Sequence, residues 1–219
     1  MLKKYLLPVL LFLAPALLFS QQALIRELTG TVELKHAGQE RWDIAVPGQN
    51  IAAHTVISTG FKSTALLAVG SSILHVRPLT RLTLAEIHSS AQTETINVAL
   101  QAGRMKADIK APAGSKASFT AQTPTTTASV RGTVFELDTV TITVLEGSVE
   151  FTGASGASVV VDAGRQSYFD ESSGRPALPE ETLISDLRPD TPLGSDFAGA
   201  VGDSGRQISD LELIAIIEY

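Results

Sequence analysis

The side chains able to do chemistry in this chain are few and scattered. There is no cysteine, so thiol nucleophiles, thiolate metal sites and disulfides are excluded. The four histidines, His36, His54, His75 and His88, stand singly. None has the His-x-x-x-His or His-Glu-x-x-His spacing that puts two imidazoles around a zinc ion, so each reads as a surface or strand-edge residue. No Gly-x-Ser-x-Gly elbow and no Gly-Lys-Ser/Thr phosphate cradle occurs, and Gly60-Phe61-Lys62-Ser63 lacks the glycines that would precede one. Glu136, Glu146, Glu150 and Asp162 are of the type that cleaves glycosides in pairs, but acids at turns and strand ends are ordinary. The expectation is a protein with no catalytic residue, no cofactor and no metal: not an enzyme.

One charged residue stands out by its setting. From Thr123 to Leu137 the chain reads Thr-Pro-Thr-Thr-Thr-Ala-Ser-Val-Arg-Gly-Thr-Val-Phe-Glu-Leu. Pro124 fixes its own φ and pushes Thr123 into an extended conformation, and the β-branched residues that follow suit a pleated, half-buried surface. Ala128, Val130 and Gly132 share one parity, whereas Thr133, Phe135 and Leu137 share the other. Regular alternation would expose one apolar set, so the strand must bend at Arg131-Gly132. An arginine at such a bend carries five donors and is expected to clamp the corner by bonding the carbonyls or carboxylate left unpaired there.

The elements around this segment are short and of period two. Val140, Ile142 and Val144 alternate with Thr139, Thr141 and Thr143, and Glu146-Gly147 turns the chain into a strand with Val149 and Phe151. Gly30, Gly103, Gly132 and Gly147 each precede a short apolar-polar strand at unequal spacings, which argues against a regular repeat array. The fold class expected is all-β: one domain of many short strands in a β-solenoid-like or sandwich-like winding, cornered at glycines. Thr83 to Ser90 is the best helical candidate within it and reads at least as well as strand.

Thr123-Pro124, Val130-Arg131-Gly132-Thr133 and Phe135 together resemble the signature of the FecR domain family. Val46-Pro-Gly-Gln-Asn-Ile and Ile57-Ser-Thr-Gly-Phe-Lys-Ser-Thr-Ala-Leu-Leu resemble its glycine turn and the strand after it. Val144-Leu-Glu-Gly-Ser-Val-Glu and Asp162-Ala-Gly-Arg-Gln resemble its closing hairpin and final turn. The likeness extends over roughly Leu28 to Phe169. Where the family often has an Asp-Gly turn, this chain has Val69-Gly70-Ser71-Ser72, so no acidic role is expected at that turn. The resemblance implies a non-catalytic extracytoplasmic β module. In the best-known members it belongs to an iron-responsive signalling protein that restrains a sigma factor.

Residues 1–20 read as a secretory signal peptide, with Lys3 and Lys4 ahead of an apolar run from Leu6 to Leu18. Pro8 and Pro15 break that run, which is short for a span needing about 20 apolar residues. Export to the periplasm or beyond is expected, with no membrane span after cleavage. Loss of the two lysines moves the formal charge from −6 to −8, which disfavours nucleic acid as a partner. The domain is expected over residues 24–169, and 170–219 as a turn-rich, loosely ordered tail. Pro179 to Leu187 forms a candidate short helix in that tail. The chain closes with an apolar peptide in which Leu211, Leu213, Ile214, Ile216, Ile217 and Tyr219 either pack back on the domain or dock on a partner. The function expected is binding or scaffolding of envelope proteins. Two alternatives are a carbohydrate- or peptidoglycan-binding protein, with cell-wall glycan as partner, and a component of iron-responsive envelope signalling acting with other chains.

Overall fold

The computed structural model describes residues 22–90 and 92–181. The signal-peptide reading, the candidate tail helix from Thr182 onward and the C-terminal apolar peptide all lie outside the described residues; at the start of that helix Glu180–Glu181 is strand instead. Strands β1 (Gln22–Thr29), β2 (Val32–Lys35), β3 (Asp43–Ile44), β4 (Asn50–Ala52) and β5 (Val56–Thr59) open the domain. Hairpin β6–β7 (Thr64–Val69, Ser72–Val76) is followed by hairpin β8–β9 (Arg81–Ser89, Thr93–Ala102) and by the single strand β10 (Arg104–Asp108). Then come β11 (Lys116–Gln122), β12 (Thr126–Val130), β13 (Val134–Asp138), β14 (Thr141–Glu146), β15 (Ser148–Gly153), β16 (Ser158–Asp162) and β17 (Arg165–Asp170). The last two, β18 (Arg175–Pro176) and β19 (Glu180–Glu181), pair with β17. No helix occurs among the described residues, and Thr83 to Ser89 is strand.

These strands form two sheets. The first runs β4-β1-β6-β7-β10-β13-β14-β17-β18, with β19 also on β17, and the second runs β3-β2-β5-β8-β9-β11-β12-β15-β16. The chain shuttles between them, laying a hairpin on one and then on the other. The architecture is an all-β sandwich. Among the described residues only β9 and β11 pair in parallel. With β10 crossing in the facing sheet, they make one turn of the coil that the sequence allowed as an alternative.

The apolar set of each strand points between the sheets. Ile25, Leu34, Leu67, Leu74, Leu82, Leu84, Phe119, Phe135 and Phe151 are fully buried there. Large side chains face small ones across the ladders: Phe135 is opposite Ala107, and Phe151 opposite Ala128. Phe119 and Phe135 meet from opposite sheets, edge to face, with centroids 5.9 Å apart. Full burial of each ring is worth about 1.5–3 kcal/mol in area alone. The alternating run of β14 holds for Ile142 and Val144, which are buried, but Val140 lies in the preceding turn and is exposed. Val144 to Glu150 is not a hairpin: Glu146-Gly147 carries the chain from the first sheet to the second.

Glycines sit where the chain changes sheet, and two of these corners show why. Gly103, between β9 and β10, has φ +85°, and a Cβ there would collide with the Thr80 backbone and the Leu79 carbonyl. The space belongs to the Thr80 hydroxyl, which donates to the Arg104 carbonyl and accepts from the Arg104 N–H, both at 3.0 Å. At Gly147 the same part is played by Thr133, whose hydroxyl donates to the Ser148 carbonyl at 3.0 Å.

Candidate functional site

Strand β12 carries the signature residues at its two ends. Thr123, at the β11–β12 turn, accepts from the Thr126 N–H at 3.0 Å through its hydroxyl, and Thr125 donates to the Thr139 carbonyl of the facing sheet at 3.1 Å. Pro124 is exposed in that turn. At the far end Val130 is buried and Gly132 takes φ +132°. The chain then crosses to the first sheet, where Thr133 and Phe135 are buried. The change of parity at Arg131-Gly132 is therefore a change of sheet, with both apolar sets facing one core. Arg131 does not clamp this corner. Its side chain is exposed and makes no hydrogen bond or ion pair among the described residues; Thr133, bonded to the next corner, takes that role.

The acids and histidines do not converge. Glu136 lies on the outer face of the first sheet and Glu150 on that of the second, so the sandwich separates them. Glu136 forms ion pairs with Arg77 (3.6 Å) and Arg104 (3.9 Å), and Arg104 also pairs with Asp138 at 3.5 Å. This ladder staples β7, β10 and β13 on their solvent side, where each pair contributes about 0–1 kcal/mol. His75 stands beside it. Burial first, then the charges of Lys106 and Arg77, hold its pKa below the ordinary histidine value. Asp138 also accepts from the N–H groups of Val140 and Thr141, at 2.9 and 2.7 Å, closing the β13–β14 turn. No group of three or more metal-ligating side chains occurs among the described residues.

Sequence reasoning missed Glu94. Buried on β9, its carboxylate accepts the Ser71 N–H through both oxygens, at 3.3 and 3.2 Å. The β6–β7 turn, without an acid of its own, takes one from the other sheet. A Cβ at Gly70, which holds φ +57°, would land on that carboxylate and push it off the Ser71 N–H.

Also missed was a row of exposed apolar side chains along one edge of the sandwich. Successive corners on that edge are tied in series. Ala45 N–H donates to the Val32 carbonyl (2.9 Å), Gly60 N–H to the Thr31 carbonyl (2.9 Å), and Leu79 N–H to the Gly60 carbonyl (3.2 Å). The residue beside each tie is large, apolar and in water: Val46 is 54% exposed, Phe61 74% and Leu79 63%. Lys62 and Leu79 hold φ of +53° and +55°, a region that costs a side-chain-bearing residue energy and that clusters at functional sites. Lys62 Nζ lies 5.7 Å from the Phe61 ring centre, and the Arg81 guanidinium 5.7 Å from that of Trp42. Such exposed cation–π pairs contribute about 0.5–1 kcal/mol each. The sequence signal that could have found this row is the pairing of Phe61 and Leu79 with turn residues, Gly60 and Pro78, where a large apolar side chain has no strand face to bury it.

Residues 55–150 match a family model described as FecR protein. The span covers β5 to β14 whole and includes the corners of Phe61, Leu79 and Gly132. The sandwich continues outside it at both ends. Among solved structures, a candidate anti-sigma factor from Parabacteroides distasonis ATCC 8503, crystallised at 2.50 Å resolution, is similar with a TM-score of 0.50 and 14% identity. The alignment covers 60% of this chain and 62% of that one, so this chain spans about three fifths of its length. A second structure so described from the same organism, at 1.65 Å, gives a TM-score of 0.49 and 12% identity, with coverage of 60% and 62%. At these identities the likeness is one of fold. No curated protein matches the chain.

Proposed function

We propose that this chain, which carries a FecR domain over residues 55–150, is an exported, non-catalytic module that binds another protein of the cell envelope within a signalling assembly. The observation that carries the reading is the corner row. Phe61 and Leu79 are exposed on adjacent corners inside the family-matched span, and the second of them sits on left-handed backbone. Exposed large apolar side chains are ordinary when single; a row of them held by strained corners marks an interaction surface. The solved structure described as a candidate anti-sigma factor supports a signalling context. Residues 1–20, read as an export signal, support a periplasmic or secreted location. No helix among the described residues is long and apolar enough to cross a membrane.

The test is affinity capture from an envelope extract with the full chain and with the Phe61→Ser/Leu79→Ser variant, alongside pelleting with purified cell wall. A protein retained by the wild-type bait and depleted from the variant is the expected result. Equal recovery by both baits, or sedimentation with wall and no retained protein, refutes the reading.

A further inference from the structure

The far end of the second sheet carries a different surface. Strand β16 is the last of that sheet, and nothing pairs with its outer side among the described residues. Which backbone groups it presents follows from two hydrogen bonds just beyond the ladder: Gly153 N–H to the Ala157 carbonyl and Ala163 N–H to the Gly147 carbonyl, both 2.9 Å. Peptide groups alternate along a strand. Ala157, Val159, Val161 and Ala163 therefore bond back to β15, and Ser158, Val160 and Asp162 aim their N–H and C=O groups outward.

Sheet edges of this kind are normally blunted by shortness, lysine, proline or a bulge. The other ends obey that rule: β3, β18 and β19 have two residues each and β4 has three. β16 has five, Ser-Val-Val-Val-Asp, with no lysine, no proline and an unbroken register against β15. Val160 at its centre is 59% exposed. In strand order the two sheets end together, β16 in one and β18 in the other, so a neighbouring sandwich can abut both.

We propose that β16 pairs antiparallel with β16 of a second copy, about a twofold axis at Val160, joining the two nine-stranded sheets into one. The five residues are complementary to themselves in that register. Val160 meets its own counterpart on the outer face. Val159, only partly buried, lies opposite buried Val161 of the other copy on the inner face, so the two apolar cores become continuous. The Ser158 hydroxyl lies opposite the Asp162 carboxylate of the other copy, a donor against an acceptor, and no like charges oppose each other. Every outward N–H then finds an outward C=O. Such an isologous contact closes at two copies.

Analytical ultracentrifugation of the full chain, from micromolar to hundreds of micromolar, is paired with amide hydrogen exchange over the same range. A dimer is expected, with the Ser158, Val160 and Asp162 amides gaining protection as concentration rises. Val160→Lys sets two ammonium groups face to face at the axis and should weaken the dimer at least about tenfold. Val160→Thr, neutral and β-branched, should keep it. An exposed edge position leaves both variants folded, which circular dichroism verifies. The proposal falls if the chain stays monomeric throughout, if Val160→Lys dimerises as wild type does, or if the three amides exchange at one rate at every concentration. It falls equally if they are protected in the monomer, because another strand then covers the edge.

Discussion

Gly103 and Gly48 make a matched pair for testing what a corner glycine does. Their φ values are +85° and +81°, so alanine meets the same left-handed penalty at either, about 1–2 kcal/mol. Their surroundings differ. Around Gly48 nothing lies within 4 Å of where a Cβ would be, whereas at Gly103 that atom would sit 2.5 Å from Thr80 Cα and 2.6 Å from the Leu79 carbonyl oxygen. Neither obstacle is a side chain that can swing away, so the two corners must separate. Separation breaks the pair of hydrogen bonds between Thr80 and Arg104, each worth about 0.5–1.5 kcal/mol. Gly48→Ala should therefore cost about 1–2 kcal/mol and Gly103→Ala about 2–5 kcal/mol. Urea unfolding followed through the single tryptophan, Trp42, measures both. In a domain of this size the difference appears as roughly 2–4 °C of melting temperature per kcal/mol. Equal losses at the two positions would refute the argument that hydroxyl-filled corners hold the sheets together.

Arg131→Ala, at an exposed side chain with no partner among the described residues, should leave stability within about 0.5 kcal/mol. Thr133→Val, which removes the donor to Ser148, should cost about 1 kcal/mol; chemical denaturation ranks the two. Thr55 is buried with no partner for its hydroxyl, so Thr55→Val should raise stability by about 1 kcal/mol, read as a higher melting temperature. The unfolded chain protonates His75 near its ordinary pKa, whereas the folded chain resists protonation. Stability from this group is thus intact above about pH 6.5 and declines as pH falls below it. His75→Gln should flatten that part of the slope below about pH 6.5, and an unchanged slope would contradict the assignment.

Alternation and glycine placement made much of the fold legible. The corner at Arg131-Gly132 could be placed to the residue because its two flanking apolar sets have opposite parity and must share one core. The family resemblance placed Val144 to Glu150 in a hairpin, and parity could not correct it. A tight hairpin inverts parity just as a crossing does: β6–β7 pairs Val69 with Ser72, also of opposite parity. Whether the chain folds back in its own sheet or passes to the facing one depends on partners far away in sequence. Distance also hid Glu94, which serves a turn on another hairpin. The role given to Arg131 rested on donor capacity, but a corner closed by Thr133 left it nothing to bond. The row of Val46, Phe61 and Leu79 was missed because left-handed backbone at Lys62 and Leu79 leaves no mark in residue type, and its one sequence trace is the large apolar residues beside Gly60 and Pro78.

Most pairings in this sandwich join strands separated by only a few others along the chain, and each new hairpin finds its ladder partner already in place. β7 waits for β10, β9 for β11, β10 for β13 and β14 for β17. A polypeptide emerging amino end first can therefore assemble in the order it arrives, like courses of brick, without holding a long unmatched segment until its last residues appear. The growing end is then always the newest strand, and β16 is where that growth stops on one side.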